Sequence, residues 1–516
     1  MLRSLFTVGG WTIASRVSGF FRDVLLGAVL GAGLVADTFV IAFRLPNHFR
    51  AIFGEGAFNS AYVPAYSRAL QKQGPEEAKH FSSQILTLLL ISQLLFLAFA
   101  LIFTSTFVRV LAPGFESDPE KFARAVMLTR ITFPYLLCVT LVTLHSGTLN
   151  ANGHFAAAAF VPVLLNLTMI VFVALAFLFP DAGVAASVGV TVSGVLQLAL
   201  MMIAARRVGV LEGIEKPRWN DDVRRFFRAL GPAVIGAGGV QIALFADTII
   251  SSLLPTGGPS SIYYAARIYQ LPIGVIGIAA GTVLLPEMSR LFAAGDAAAA
   301  RQAQNRTMAL TLTLAAPFFV AFLIIPDLVM RAVFVRGRFT VADADAAASV
   351  LAAYGIGLLA ILLIRSAVAS FQAKGDTTTP MVVALIAVAA NVGLKLMLFR
   401  PFGAPGLAFA TAIGAWLNFL LLVIVALRRG TMHFDDVFKR SAFATATGTV
   451  VLANVGLWGR GPMEHALTGL RFADEITLTV LTLAGGLVYC GFLLFGLRAL
   501  GIRFADFSGR VSPRPV

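Results

Sequence analysis

Apolar residues in this chain run in long blocks separated by Gly, Pro and clusters of charge. The blocks lie near 5–29, 33–54, 82–112, 125–149, 157–179, 184–205 and 231–254. Seven more follow near 261–286, 307–333, 347–371, 380–399, 404–427, 441–458 and 476–497. A helix needs ~20 apolar residues to cross the hydrocarbon of a bilayer. The pattern therefore predicts an all-α polytopic membrane protein with 14 transmembrane helices, and both termini on one side. The first block follows only Met1 to Ser4 and contains Arg16, Arg22 and Asp23. That is a poor core for a cleaved signal peptide, so it is expected to remain as a helix.

The chain is internally duplicated. "LNANG" ends at Gly153 and "FQAKG" at Gly375, "AARR" at Arg207 and "ALRR" at Arg429, "VPAYSR" at Arg68 and "LPEMSR" at Arg290. Each pair is 222 residues apart, and each stands at the end of a block. The repeat unit then holds six spans, and an even number gives two parallel copies. The expected organisation is an N-terminal lobe over 1–217, a C-terminal lobe over 218–430, and two further spans with a tail over 431–516. An interface between two such lobes is where a transporter places its substrate.

Composition agrees. Of 516 residues, 58% are hydrophobic and 13% charged, where a soluble domain has about 45–50% and about 25%. So little charge cannot cover a water-facing surface, which excludes soluble, disordered and disulfide-scaffold classes. The net charge of +14 is read as loops facing anionic lipid rather than as a nucleic-acid surface. Cys138 and Cys490 both lie in apolar blocks, so neither a disulfide framework nor a thiolate metal site is expected. With the N-terminus inside, the inner segments hold 23 Lys and Arg and the outer ones 9, which predicts cytoplasmic termini.

Eight cations remain inside the blocks: Arg16, Arg22, Arg44, Arg50, Arg130, Arg267, Arg365 and Lys395. Each costs ~2.5–3.5 kcal/mol at a helix centre on insertion scales, so water, a partner or a ligand should meet them. The acids at that depth are Asp23, Asp37, Asp247 and, at an inner end, Glu55, too few to neutralise the set. Arg16 and Asp23 share a helical face, Arg22 points about 120° away, and Asp37 shares a face with Arg44. Snorkelling suits Arg44, Arg50 and Arg365 taken alone. Arg16, Arg22 and Arg267 are expected to line a cavity. Surplus guanidinium there calls for an anion, and its planar fork suits phosphate.

Proline at 46, 134, 162, 232, 272 and 317 interrupts spans, and Gly27/Gly31 and Gly277/Gly281 are spaced for close helix packing. No enzyme signature is present: the six histidines lack metal-ligand spacing, and neither a P-loop nor a nucleophile elbow occurs. Glu116, Asp118 and Glu120 could mimic a glycosyltransferase acid, but a solvated run of loop charge is the simpler reading. No cofactor is expected. Active transport would draw on an ion gradient or the membrane potential.

Several segments resemble a known family. "SRVSGFFRD" (15–23), "GLVADTFVIAFRLPNHFRAIFGEGAFNSAYVP" (33–64), "APGF" (112–115), "ITFPY" (131–135) and "YYAARIYQLPIGVIGIAAGTVLLP" (263–286) look like MurJ (MviN), the lipid II flippases of bacterial peptidoglycan synthesis. The resemblance runs through essentially the whole chain. It implies two six-helix lobes with two extra C-terminal helices, as in the superfamily of multidrug, oligosaccharidyl-lipid and polysaccharide exporters. It implies substrate-binding roles for Arg16, Arg22, Asp37, Arg50, Glu55 and Arg267. Asp23 and Gln270, the latter standing where family members can carry Glu, are further substrate-binding candidates. It further implies lipid II as substrate, its polyprenyl tail along spans 13 and 14, and a place in the bacterial inner membrane beside other cell-wall synthesis proteins.

The superfamily often couples transport to Na⁺ or H⁺ through buried carboxylates. Asp247 lies 224 residues after Asp23, and Asn391, Lys395 and Thr411 are its candidate companions. Lys395 departs from a cation site, because an ammonium repels Na⁺ and could itself neutralise Asp247. Drug antiporters bind cations, which an arginine-rich cavity disfavours. A flippase for another undecaprenyl-linked glycan and a membrane-embedded glycosyltransferase are the remaining alternatives.

Overall fold

The computed structural model describes residues 2–50 and 57–502, without the side chains of 2–6, 57, 235–240 and 278–280. Glu55 lies outside the described residues. No strand occurs among them. The helices form two compact units, Met1–Ser260 with Arg336–Phe339, and Ser261–Val335 with Thr340–Val516.

The first unit contains α1 (Leu2–Leu30), α2 (Leu34–Arg50), α3 (Ala57–Gln73), α4 (Pro75–Ile102) and α5 (Thr104–Leu111). It continues with α6 (Pro119–Thr132), α7 (Pro134–Ala151), α8 (Ala156–Ala174), α9 (Ala182–Val208) and α10 (Asp221–Ser252). The second contains most of α11 (Gly258–Pro272), then a π-helical turn (Ile273–Gly277), α12 (Ile278–Ala293), α13 (Ala297–Ile324) and α14 (Pro326–Phe334). It ends with α15 (Val341–Gln372), α16 (Thr378–Arg428), α17 (Asp436–Ala466) and α18 (Ala473–Ala499).

The duplication read from three short motifs extends to element boundaries. Helices α4, α5, α6 and α8 begin at residues 75, 104, 119 and 156, and α13, α14, α15 and α16 begin at 297, 326, 341 and 378. Every pair is 222 apart. The ends of α1 and α10, at residues 30 and 252, keep the same spacing. By packing, however, α10 belongs with the first unit: its Val223 and Phe226 sit in a core with Phe58 and Tyr62 of α3 and Phe81 of α4.

Ten helices among the described residues are long and apolar enough to cross a membrane. One of these, α16, is a hairpin. A straight helix would hold residues 391 and 410 ~28 Å apart at 1.5 Å per residue, yet the Asn391 amide lies 3.5 Å from the Ala410 carbonyl. The reversal is at Gly403, whose φ of 59° falls in the left-handed region that glycine tolerates. The apolar pattern ended one block at residue 54, but a separate helix, α3, runs to Gln73. Its Tyr62, Ala65, Tyr66 and Ala69 face α4, α7 and α10 rather than lipid, so it needs no continuous apolar sequence. The blocks 82–112 and 307–333 each split into a long helix and a short one, at Phe103 and Ile325. Exposed Leu95, Ile102, Phe177, Leu487 and Phe495 mark faces made for lipid.

Candidate functional site

In the first unit, α1 brings Arg22 and Asp23 out of solvent together, at 7% and 4% exposure. Despite the 100° between neighbours on a helix, the guanidinium bends to its neighbour: Nε and Nη2 donate to Asp23 Oδ1 at 3.1 and 2.8 Å. Nη1 donates to Asn166 Oδ1 on α8 at 2.8 Å. The Asn166 amide in turn donates to the Ser15 carbonyl at 2.9 Å and the Ser18 hydroxyl at 3.1 Å. Gly19 admits it, since a Cβ there would stand 3.3 Å from Asn166 Nδ2. A buried arginine is thus held in one orientation, with much of its charge offset by Asp23. Arg16, two turns earlier, is exposed. Arg50 is half-buried at the end of α2.

Asp37 is fully buried on α2 and is held by partners from other segments. Its Oδ2 accepts from Lys121 Nζ of α6 at 2.8 Å and from Gly257 N–H at 2.9 Å, and its Oδ1 accepts from Ser260 N–H at 2.9 Å. The Lys121 ammonium also lies 4.4 Å from the Phe115 ring. Lys121 had the appearance of an outer-loop cation, and only the fold reveals it as a buried ion-pair partner. On the same helix, His48 Nε2 and the Thr248 hydroxyl of α10 are 2.9 Å apart.

A second buried network was invisible in sequence. Glu212, in the segment between α9 and α10, meets His145 Nδ1 of α7 at 2.7 Å and accepts from the Ser82 hydroxyl of α4 at 2.9 Å and from Thr148. Tyr62 of α3 joins through Ser82 and Thr148. Burial pushes the Glu212 carboxyl up, but the hydrogen bond and charge of His145 and the Thr148 hydroxyl outweigh it and hold the group below its ordinary range. A loop glutamate and a histidine without ligand spacing gave no signal for this.

In the second unit, Arg267 of α11 lies over Tyr263, 4.5 Å from guanidinium to ring centre. Tyr263, Tyr264 and Tyr269 of the same helix are buried, and Tyr269 stacks on Tyr354 of α15 at 4.9 Å. Gln270 is exposed. The π-turn follows Pro272, a distortion that favours functional positions in helices. The Gly277/Gly281 pair packs closely against α15, as its spacing suggested: a Cβ at Gly277 would stand 3.2 Å from Leu362 Cδ2 and 3.4 Å from Arg365 Nε, and one at Gly281 3.6 Å from Arg365 Cδ.

Of the coupling candidates, Lys395 is 4% exposed on the first arm of the α16 hairpin. Asn391 reaches the second arm, and the Thr411 hydroxyl on that arm donates back to Leu407 O at 3.0 Å. Asp247 lies on α10 in the first unit. No group of three or more His, Cys, Asp or Glu among the described residues could hold a metal ion.

The chain is similar to known proteins in sequence and in fold. Residues 26–495 match the family model described as lipid II flippase MurJ. The probable lipid II flippase of Rhizobium meliloti (strain 1021) is 41% identical over 98% of this chain and 95% of its own length. The lipid II flippase of Burkholderia cenocepacia is 33% identical over 99% of both. Among solved structures, a lipid II flippase MurJ in an inward closed conformation superposes with a TM-score of 0.79 at 25% identity, over 96% of this chain and 99% of that one. An inward-facing multidrug resistance transporter of the MATE family shares the fold alone, with a TM-score of 0.63 at 15% identity over 80% of this chain. With a match from residue 26 to 495 and relatives of this name 41% and 33% identical over nearly the whole chain, the chain belongs to the lipid II flippase MurJ family.

Proposed function

We propose that this chain is a lipid II flippase, moving the undecaprenyl-diphosphate-linked peptidoglycan precursor from the inner to the outer leaflet of the bacterial cytoplasmic membrane by alternating access. It is a transporter, with no bond made or broken. The observation that carries the reading is the family match over residues 26–495. The charges agree with it. Arg16 and Arg22 in the first unit and Arg267 in the second are guanidinium groups on helices at membrane depth, and they are the residues assigned to the diphosphate. Asp23 and Asn166 orient Arg22, while Lys121 pairs with Asp37 at the start of α2.

Orientation follows from the excess of inner over outer cations, with both termini cytoplasmic. With the cell interior negative, outward movement of anionic charge is downhill by ~2.3 kcal/mol per charge per 100 mV, or about 4–5 kcal/mol for a diphosphate of two charges. The potential is therefore the main drive in this reading. Buried Lys395 supplies a built-in cation on the hairpin that carries Asn391 and Thr411, so that no coupling Na⁺ is required. Depletion of the protein tests the substrate: lipid II should accumulate on the inner leaflet. Accumulation of a different undecaprenyl-linked glycan would overturn the assignment.

A further inference from the structure

The repeat allows one end of the first unit to be compared with its copy in the second. Between α15 and α16 the chain turns through Gly375 (φ 80°), and the Asp376 N–H donates to Phe371 O at 3.0 Å. The Asp376 carboxylate then accepts from Thr379 N–H at 2.9 Å, the Thr379 hydroxyl at 2.7 Å and Arg429 Nη1 at 2.9 Å. One side chain thus caps the start of α16 and pairs with the arginine at its far end.

The first unit repeats the backbone but not the side chains. Between α7 and α8 the chain turns through Gly153 (φ 80°), and the His154 N–H donates to Leu149 O at 2.8 Å. At the 222-residue offset His154 stands in place of Asp376, Ala157 in place of Thr379 and Arg207 in place of Arg429. Helix α9 has one residue more than α16 between that arginine and the following glycine, Gly209 or Gly430. The carboxylate is missing. The start of α8 has no side-chain cap, and among the described residues neither the His154 ring nor the Arg207 guanidinium has a hydrogen-bond or ion-pair partner. A cleft of about 570 Å³ opens there, lined by Gly153, His154, Ala157 and Arg207, with Phe155 and Ile203 among its apolar walls.

Uncapped amides at a helix start and a guanidinium both favour a negative charge, and phosphate suits both. Phe155 and Ile203 are exposed at 39% and 53%, so the cleft joins an apolar surface that lipid covers. A free anion would leave those walls bare. We propose that this cleft binds the phosphate headgroup of an anionic membrane phospholipid, the phosphate occupying the place that Asp376 fills in the second unit, with the apolar walls holding the start of an acyl chain.

Native mass spectrometry of the full-length chain in detergent, titrated with phosphatidylglycerol or phosphatidylcholine, tests this. His154→Asp should supply the missing carboxylate from within, and Arg207→Ala should remove the donor. Wild type should retain one phosphatidylglycerol that both variants bind about tenfold more weakly, the worth of a hydrogen bond to a charged group. Phosphatidylcholine retention should not differ among the three. Equal phosphatidylglycerol retention by wild type and His154→Asp would overturn the proposal, as would an equal effect on phosphatidylcholine. Displacement of the lipid by inorganic phosphate would assign the cleft to a free anion instead. Should Arg207→Ala fail to fold, His154→Asp decides alone, because the second unit already accommodates that aspartate.

Discussion

The Lys121 ammonium lies 2.8 Å from the Asp37 carboxylate, with 4% and 0% of the two side chains exposed. Such a pair is a poor source of stability but a costly thing to break, because the survivor is a buried, unpaired charge. Lys121→Met or Asp37→Asn alone is expected to cost ~3–5 kcal/mol. The double variant should be milder than either, although the Gly257 and Ser260 amides would still lose their acceptor in it. Thermal unfolding in detergent measures this. A double variant as unstable as the sum of the singles would show that the two side chains act separately.

Arg22, Arg16 and Arg267 carry the proposed diphosphate contacts. Each Arg→Ala is expected to abolish support of growth in depleted cells while immunoblots show normal insertion, and Arg→Lys should rescue poorly because it loses the fork. Asn166→Ala is expected to weaken growth without removing a charge, since it frees the Arg22 guanidinium from the position that Ser15 and Ser18 help to set. Full complementation by the three Ala variants would return these arginines to an interfacial, snorkelling role.

Glu212 makes a pH prediction. Its carboxyl is held below the ordinary value of 4.5, so its stabilising contribution is fully present above that pH and lost as pH falls through the lower folded-state value. Glu212→Gln should therefore lower the unfolding temperature most at neutral pH. The gap to wild type should shrink as pH falls below 4.5. A constant gap down to strong acid would mean that His145 and Thr148 do not favour the ionised form.

Lys395 bears on energy coupling. With an ammonium buried on α16, transport is expected to persist when external Na⁺ is replaced by choline, and to fall when the membrane potential is collapsed. Flipping measured in vesicles under each condition separates the two. A strict Na⁺ requirement would discard the built-in cation.

Fourteen apolar blocks and a 222-residue offset made the helical class and the duplication legible, because a lipid-facing helix has to be apolar almost throughout. Helix α3 was not legible, since it is buried by protein and mixes Asn59, Ser60 and Arg68 with its core residues. The arginines at membrane depth announced themselves by cost alone. Their companions did not: Asn166 is one amide in an apolar helix, Lys121 looks like a loop charge, and Glu212 sits in a polar connection. Each becomes meaningful only when packing brings it to a partner distant in the chain. The spacing of Gly277 and Gly281 announced close helix contact, but not which side chains meet the notch: Leu362 and Arg365 of α15 do.

The leaflet that lipid II reaches distinguishes a flippase from every alternative. In cells depleted of this protein, an enzyme that cleaves lipid II is added from outside, and the fraction of the lipid II pool that it consumes is measured against replete cells. The pool should become protected on depletion and accessible again when the wild-type chain, but not Arg22→Ala, is restored. A pool that remained accessible in depleted cells would contradict the flippase reading.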